Sequence, residues 1–224
     1  MKLKSQLKSL FVQPLSSMIL SMITAIAISP SALAVTGKVS PHLPEQVQQS
    51  QKIAQFSGTD QPERSRLLQQ ANALYNQRDF KGAEENLRKF LKKFPKDAFG
   101  HFQLGNALFR QSKPEAAISS YQEAIRLNSK YALAYNAIGV VYASQDRWEE
   151  AITEYRKSLE INPDYGDALT NLGQALWQTN KRDEAKASLE KALNIFKAQS
   201  RNEKVYQVEQ ILQQMKTLDD PSVS

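Results

Sequence analysis

The chain contains no cysteine in 224 residues. Disulfides, thiolate catalysis, cysteine-ligated zinc and lipid attachment through a thiol are therefore excluded. Histidine is nearly as scarce, with only His42 and His101. No Ser/His/Asp set, metal-ligand spacing or glycine-rich phosphate loop is present, so no catalytic residue, metal or cofactor is expected. Acidic residues are missing from the first 34 positions, where Lys2, Lys4 and Lys8 stand alone. That local imbalance inflates the formal charge of +6; the remaining residues carry 26 basic and 23 acidic side chains, or +3. No run of Lys and Arg stripes one face in sequence, so nucleic acid is not an expected partner. An apolar run long enough to span a bilayer, about 20 residues, is missing too.

What is present begins with an export signal. A basic start precedes an apolar stretch from Leu15 to Ile28, followed by Ser29-Pro30-Ser31-Ala32-Leu33-Ala34. Pro30 breaks a helix, and Ala32 and Ala34 are the small residues that signal peptidase accepts, so residues 1–34 are expected to be cleaved after Ala34. The alternative is an uncleaved anchor, the one route to a membrane. The mature chain is then expected outside the cytoplasm, in a periplasm or an equivalent lumenal compartment. Residues 35–63 are Gln-rich and polar, with Pro41, Pro44, Gly58 and Pro62, and are expected to form a flexible linker. A disordered tail is expected at 219–224.

Between these segments small residues keep a fixed interval. Gly105, Gly139 and Gly173 are 34 residues apart, with Ala71 one interval upstream, and Ala83, Ala117, Ala151 and Ala185 keep the same spacing. The recurrence divides the chain into four units, 64–97, 98–131, 132–165 and 166–199, each predicted to hold two amphipathic helices. Small residues mark places where helices cross closely. Ala124, Ser158 and Ala192 supply a third small position, from which Phe90 departs. Ser112, Asp146 and Asn180 are expected to cap the second helices, with Glu115, Glu149 and Asp183 three residues later. Pro114 suits a first helical turn, and Pro95 and Pro163 close their units. Val205, Val208, Ile211, Leu212 and Met215 predict a further helix over 200–218 that seals the last unit.

These residues resemble the tetratricopeptide repeat. The third unit matches best, with Tyr135, Ile138, Gly139, Tyr142, Trp148, Ala151, Tyr155 and Pro163; the first diverges most, with Gln70-Ala71 in place of Leu-Gly. The resemblance implies an all-α, right-handed superhelical solenoid of four helix–turn–helix repeats plus a capping helix. Its concave face would be lined by the first helices, and its members usually bind peptides or proteins. Family geometry places Asn72, Tyr75, Phe99, Phe102, Asn106, Phe109, Asn136, Gln174 and Trp177 on that face as candidate partner-binding residues. Aromatic rings would supply buried area and amides would pair a bound backbone. One branch of the family grips C-terminal carboxylates with basic residues; Leu68, Leu133 and Ala137 stand at those sites, so that clamp is not expected. His101 reads as a packing residue rather than a base. The leading expectation is a non-catalytic scaffold for a peptide or protein partner. The competing one is a structural homo-oligomer built by stacking repeat ends.

Overall fold

The computed structural model describes residues 45–219, which form helices and no strand. The expected signal segment, the first part of the expected linker and residues 220–224 lie outside the described residues. The chain divides into two units, Met1–Arg66 and Leu67–Ser224. The helices are α1 (Glu45–Asn76), α2 (Phe80–Lys93), α3 (Ala98–Arg110), α4 (Pro114–Leu127), α5 (Ala132–Ser144), α6 (Trp148–Ile161), α7 (Gly166–Gln178), α8 (Arg182–Ala198) and α9 (Asn202–Asp219). Among the described residues none is long and apolar enough to cross a membrane. One expectation needs correcting: residues 45–63 are not a linker but the start of α1. Their Gln, Glu, Lys, Arg and Ala are good helix formers, and low apolar content does not oppose a helix.

The second unit is a helical-repeat solenoid. Each first helix (α3, α5, α7) packs on the second helix of its own repeat, and α3 meets α5 as α5 meets α7. The second helices do not approach one another as closely. First helices therefore line the inner side of the stack. The small residues act through size. A Cβ on Gly105 would lie 2.5 Å from Cε1 of Tyr121, and one on Gly139 would lie 2.5 Å from Cε1 of Tyr155. Both rings are buried, so neither can swing aside. Phe90, the exception to the small third position, is matched by a compensating glycine. A Cβ on Gly100 would meet its ring at 2.5 Å, whereas the later units place Ala134 and Ala168 at that site opposite Ala124 and Ser158. Volume has been exchanged between partners, and Phe90 is fully buried.

The helix caps also need correcting. Ser112, Asp146 and Asn180 have φ of 58°, 58° and 63°, and Arg78 and Ser200 share the left-handed conformation. They end a helix rather than begin one. The amide of Ser112 donates to the Phe109 carbonyl and that of Lys113 to the Leu108 carbonyl, the paired bonds of a Schellman turn, and the same pairs recur at the other four sites. The N-caps of α4, α6 and α8 are Lys113, Arg147 and Lys181, which make no side-chain cap bond. Asp and Asn tolerate the left-handed region better than most residues, which is why the same residue types suit either role. The acids that follow do sit in first turns, Glu115, Glu149 and Asp183 among them, where they complement the helix dipole.

The 34-residue interval slips at the end of the array. α8 runs 17 residues against 14 for α6, so α9 begins 36 residues after α7. The added turn brings Phe196 into the core, fully buried, where a Cβ on Gly166 would meet its ring at 2.5 Å. α9 buries Val208 and Met215 against the last repeat. Lys204 and Arg201 reach Asp167 at 2.9 and 3.5 Å, and Lys197 pairs with Glu209 at 3.0 Å.

Glu84 shows how successive repeats are tied by polar contacts. It was expected to serve the helix dipole, but it lies beyond the first turn of α2. Its carboxylate accepts from Arg88, and across the repeat boundary from Gln111 and Lys113, each at 2.9 Å. Partial burial opposes ionisation, yet these three donors outweigh it and bring the group from 4.5 down to about 2. A depressed folded-state value gives stability that is full above the ordinary carboxylate value and fades as pH falls toward 2. In Glu84→Gln the stability deficit, read by urea unfolding, should be largest at neutral pH and shrink between pH 4.5 and about 2. A deficit independent of pH would reject the assignment.

Candidate functional site

The first helices carry the candidate residues on their inner side, and the structure sorts them into two groups. Phe102 and Asn136 are buried, at 9% and 1% exposure. Phe102 packs against Tyr121 and Tyr131, with ring centroids 5.7 and 5.2 Å away, so it belongs to the core. Asn136 accepts from Asn171 Nδ2 at 3.0 Å, joining repeats three and four. A buried amide needs such a partner. The others are half-buried and accessible: Asn72, Tyr75, Phe99, Asn106, Phe109, Gln174 and Trp177.

Two of these amides are already engaged. Tyr121 donates its hydroxyl proton to Asn106 Oδ1 (2.8 Å), Asn106 Nδ2 donates to Gln103 Oε1 (3.0 Å), and Gln103 Nε2 donates to Asn72 Oδ1 (2.7 Å). This relay runs from the core to the first repeat and fixes the amide orientations. It leaves the Asn72 nitrogen as the end donor. Burial pushes the Tyr121 hydroxyl far up, so it stays a donor throughout the physiological range. Reasoning from sequence missed Gln103 and Asn171, because the family's inner-face positions leave them out. Their polarity on otherwise apolar helices is the signal that could have found them.

The rings remain open to a ligand. Phe99 and Phe109 rest on the core of the first two repeats while keeping part of their surface free. Tyr75 meets Phe80 edge-on at 5.2 Å, and Arg110 lies 4.8 Å above the Phe80 ring. Arg182 lies 4.1 Å from the Trp177 centroid, a cation–π contact that holds the indole in place. His101 donates from Nε2 to the Pro95 carbonyl (2.9 Å), a structural contact. No cluster of His, Cys, Asp or Glu suited to a metal occurs among the described residues.

One charge expectation needs correcting. Lys89, Lys92 and Lys96 are exposed along one side of α2 and the turn after it, with no carboxylate partner among the described residues. The overall balance had concealed this local cluster.

Paired helices stacked at a fixed interval, with rings and amides along the inner helices, define a helical-repeat binding scaffold. Tetratricopeptide-repeat models match residues 130–198 and 67–97, and a TPR-repeat model matches 105–146. One crystal structure of MamA is 30% identical, with a TM-score of 0.57, covering 66% of this chain and 86% of that one. A second, of MamA protein, is 31% identical, with a TM-score of 0.54, covering 64% and 79%. MamA residues 41 to the end from Desulfovibrio magneticus RS-1 are 20% identical, with a TM-score of 0.54, covering 61% and 77%, a likeness of fold alone. No curated protein matches by sequence. The chain belongs to the tetratricopeptide-repeat family, whose members are protein–protein interaction scaffolds and generally non-catalytic.

Proposed function

We propose that the chain is an exported scaffold that holds a peptide or protein segment along its first helices and helps assemble an envelope or membrane-associated complex. The observation that carries the binding reading is the row of half-buried rings, Phe99, Phe109 and Trp177, seated on a core that fixes them before any ligand arrives. Rings that are already ordered lose little entropy on binding, and their remaining surface is available to be buried. With Asn106 committed to Tyr121 and Gln103, the donors left for a bound backbone are Asn72 and Gln174. Export rests on the basic, apolar and Ala32-Leu33-Ala34 sequence of the first 34 residues.

The mature chain, used as bait in an envelope extract, should retain one partner. Trp177→Ala with Gln174→Ala should lose it at least tenfold while circular dichroism and melting temperature stay near the parent's. These residues are accessible, so their removal tests the face rather than the fold. Undiminished capture would sink the assignment. Stacking of repeat ends is the weaker reading, since α9 puts the charged Glu209 where α7 has Gly173, 36 residues earlier.

A further inference from the structure

A second surface lies on the edge formed by the turns between repeats. There a cleft of about 350 Å³ opens between the turn after α4 and the turn after α6, walled by Tyr131, Leu133, Ile161 and Tyr165. Leu133 is 44% exposed, although it is a large apolar residue inside the array. The volume is at the low end of the range of about 300–1,000 Å³ for binding sites, enough for one large side chain. The rim is polar in one direction. Lys96, Lys130 and Asp164 occupy the same position in successive repeats, 34 residues apart. On the side of the first repeat, Lys92, Lys96 and Lys130 are exposed and have no carboxylate partner among the described residues. On the opposite side stand Glu160, exposed, and Asp164, which pairs with Lys191 at 3.7 Å.

We propose that this edge docks a short acidic protein segment bearing one large apolar side chain, with the side chain in the cleft and the acidic residues running toward the first repeat. Charge complementarity selects the acidic class and orients it. The shape of the site selects a protein segment over a lipid surface or a nucleic acid. A recess receives a projecting side chain, whereas a bilayer takes up residues that protrude into it. A continuous anionic surface would also cross Glu160 and Asp164 and be repelled there, while a short segment ends before them.

The test uses the purified chain and a fluorescein-labelled peptide, Asp-Glu-Asp-Gly-Phe-Gly, together with its reversed sequence, read by anisotropy at low salt. At least one order should bind. Affinity should fall at least tenfold with Leu133→Asp, with the pair Lys96→Glu and Lys130→Glu, and when alanine replaces phenylalanine in the peptide. Asp164→Lys should tighten binding of the acidic peptide. If neither order binds, or if Leu133→Asp leaves affinity unchanged with the fold intact by circular dichroism, the proposal is overturned. It is also overturned if phosphatidylglycerol vesicles or single-stranded DNA bind through the lysines with no dependence on Leu133. The lysine pair should still capture the envelope partner held through Trp177, so failure of this edge and failure of the inner face give different results.

Discussion

Phe102→Ala should lower the unfolding free energy by about 3–5 kcal/mol, the range for deleting a buried aromatic ring. The ring is 9% exposed and bridges Tyr121 in its own repeat to Tyr131 at the start of the next. Its removal leaves a void between two large rings that cannot close on themselves. The melting temperature should drop by roughly 10 °C, since each kcal/mol moves a domain of this size by about 2–4 °C. Phe109→Ala, accessible and only packed against the core from one side, should cost clearly less. Equal losses in urea unfolding would mean that the inner face does not divide into core and contact residues as described. The distinction matters for any binding assay, because a partner lost on Phe102→Ala reports unfolding.

Gly139→Val should be of similar size, about 3 kcal/mol, through overpacking rather than a cavity. The new Cβ would lie 2.5 Å from Cε1 and 2.6 Å from Cδ1 of Tyr155, a ring that is 2% exposed. Either the helices part or the ring is expelled. The cause can be isolated in a double-mutant cycle. In a Tyr155→Leu background the valine should cost less than half as much, as read from urea midpoints. Strictly additive costs would show that the damage lies elsewhere, for instance in the β-branched residue's effect on the helix itself.

These two residues also show what the sequence could and could not disclose. Gly139 announced itself, because a residue needed for size at a helix crossing recurs wherever the crossing recurs. The paired helices and their stacking were legible for the same reason. Phe102 did not, because position on a helix indicates which way a residue points and not whether the neighbouring repeat covers it. Asn136 was hidden likewise, since its partner Asn171 is 35 residues away. Ser112, Asp146 and Asn180 misled through chemistry: the side chains that cap a helix start are also those that tolerate a left-handed helix end. Phe90 looked like a flaw in the pattern until Gly100 was seen opposite it. In each case the missing information was a contact between units, which a one-dimensional period does not contain.

The slip from 34 to 36 residues at α9 has a consequence for how such an array can grow. A copy of the unit 132–165 inserted within the array would present its neighbours with the spacing and the small residues they already meet. A unit appended after α8 would inherit the longer helix and Phe196, a ring that is accommodated only because Gly166 leaves room for it. The stack is thus open to lengthening from within and closed at its C-terminal end. Differences in length among descendants of this gene should therefore accumulate between the first repeat and the last, with the α8–α9 junction carried along intact.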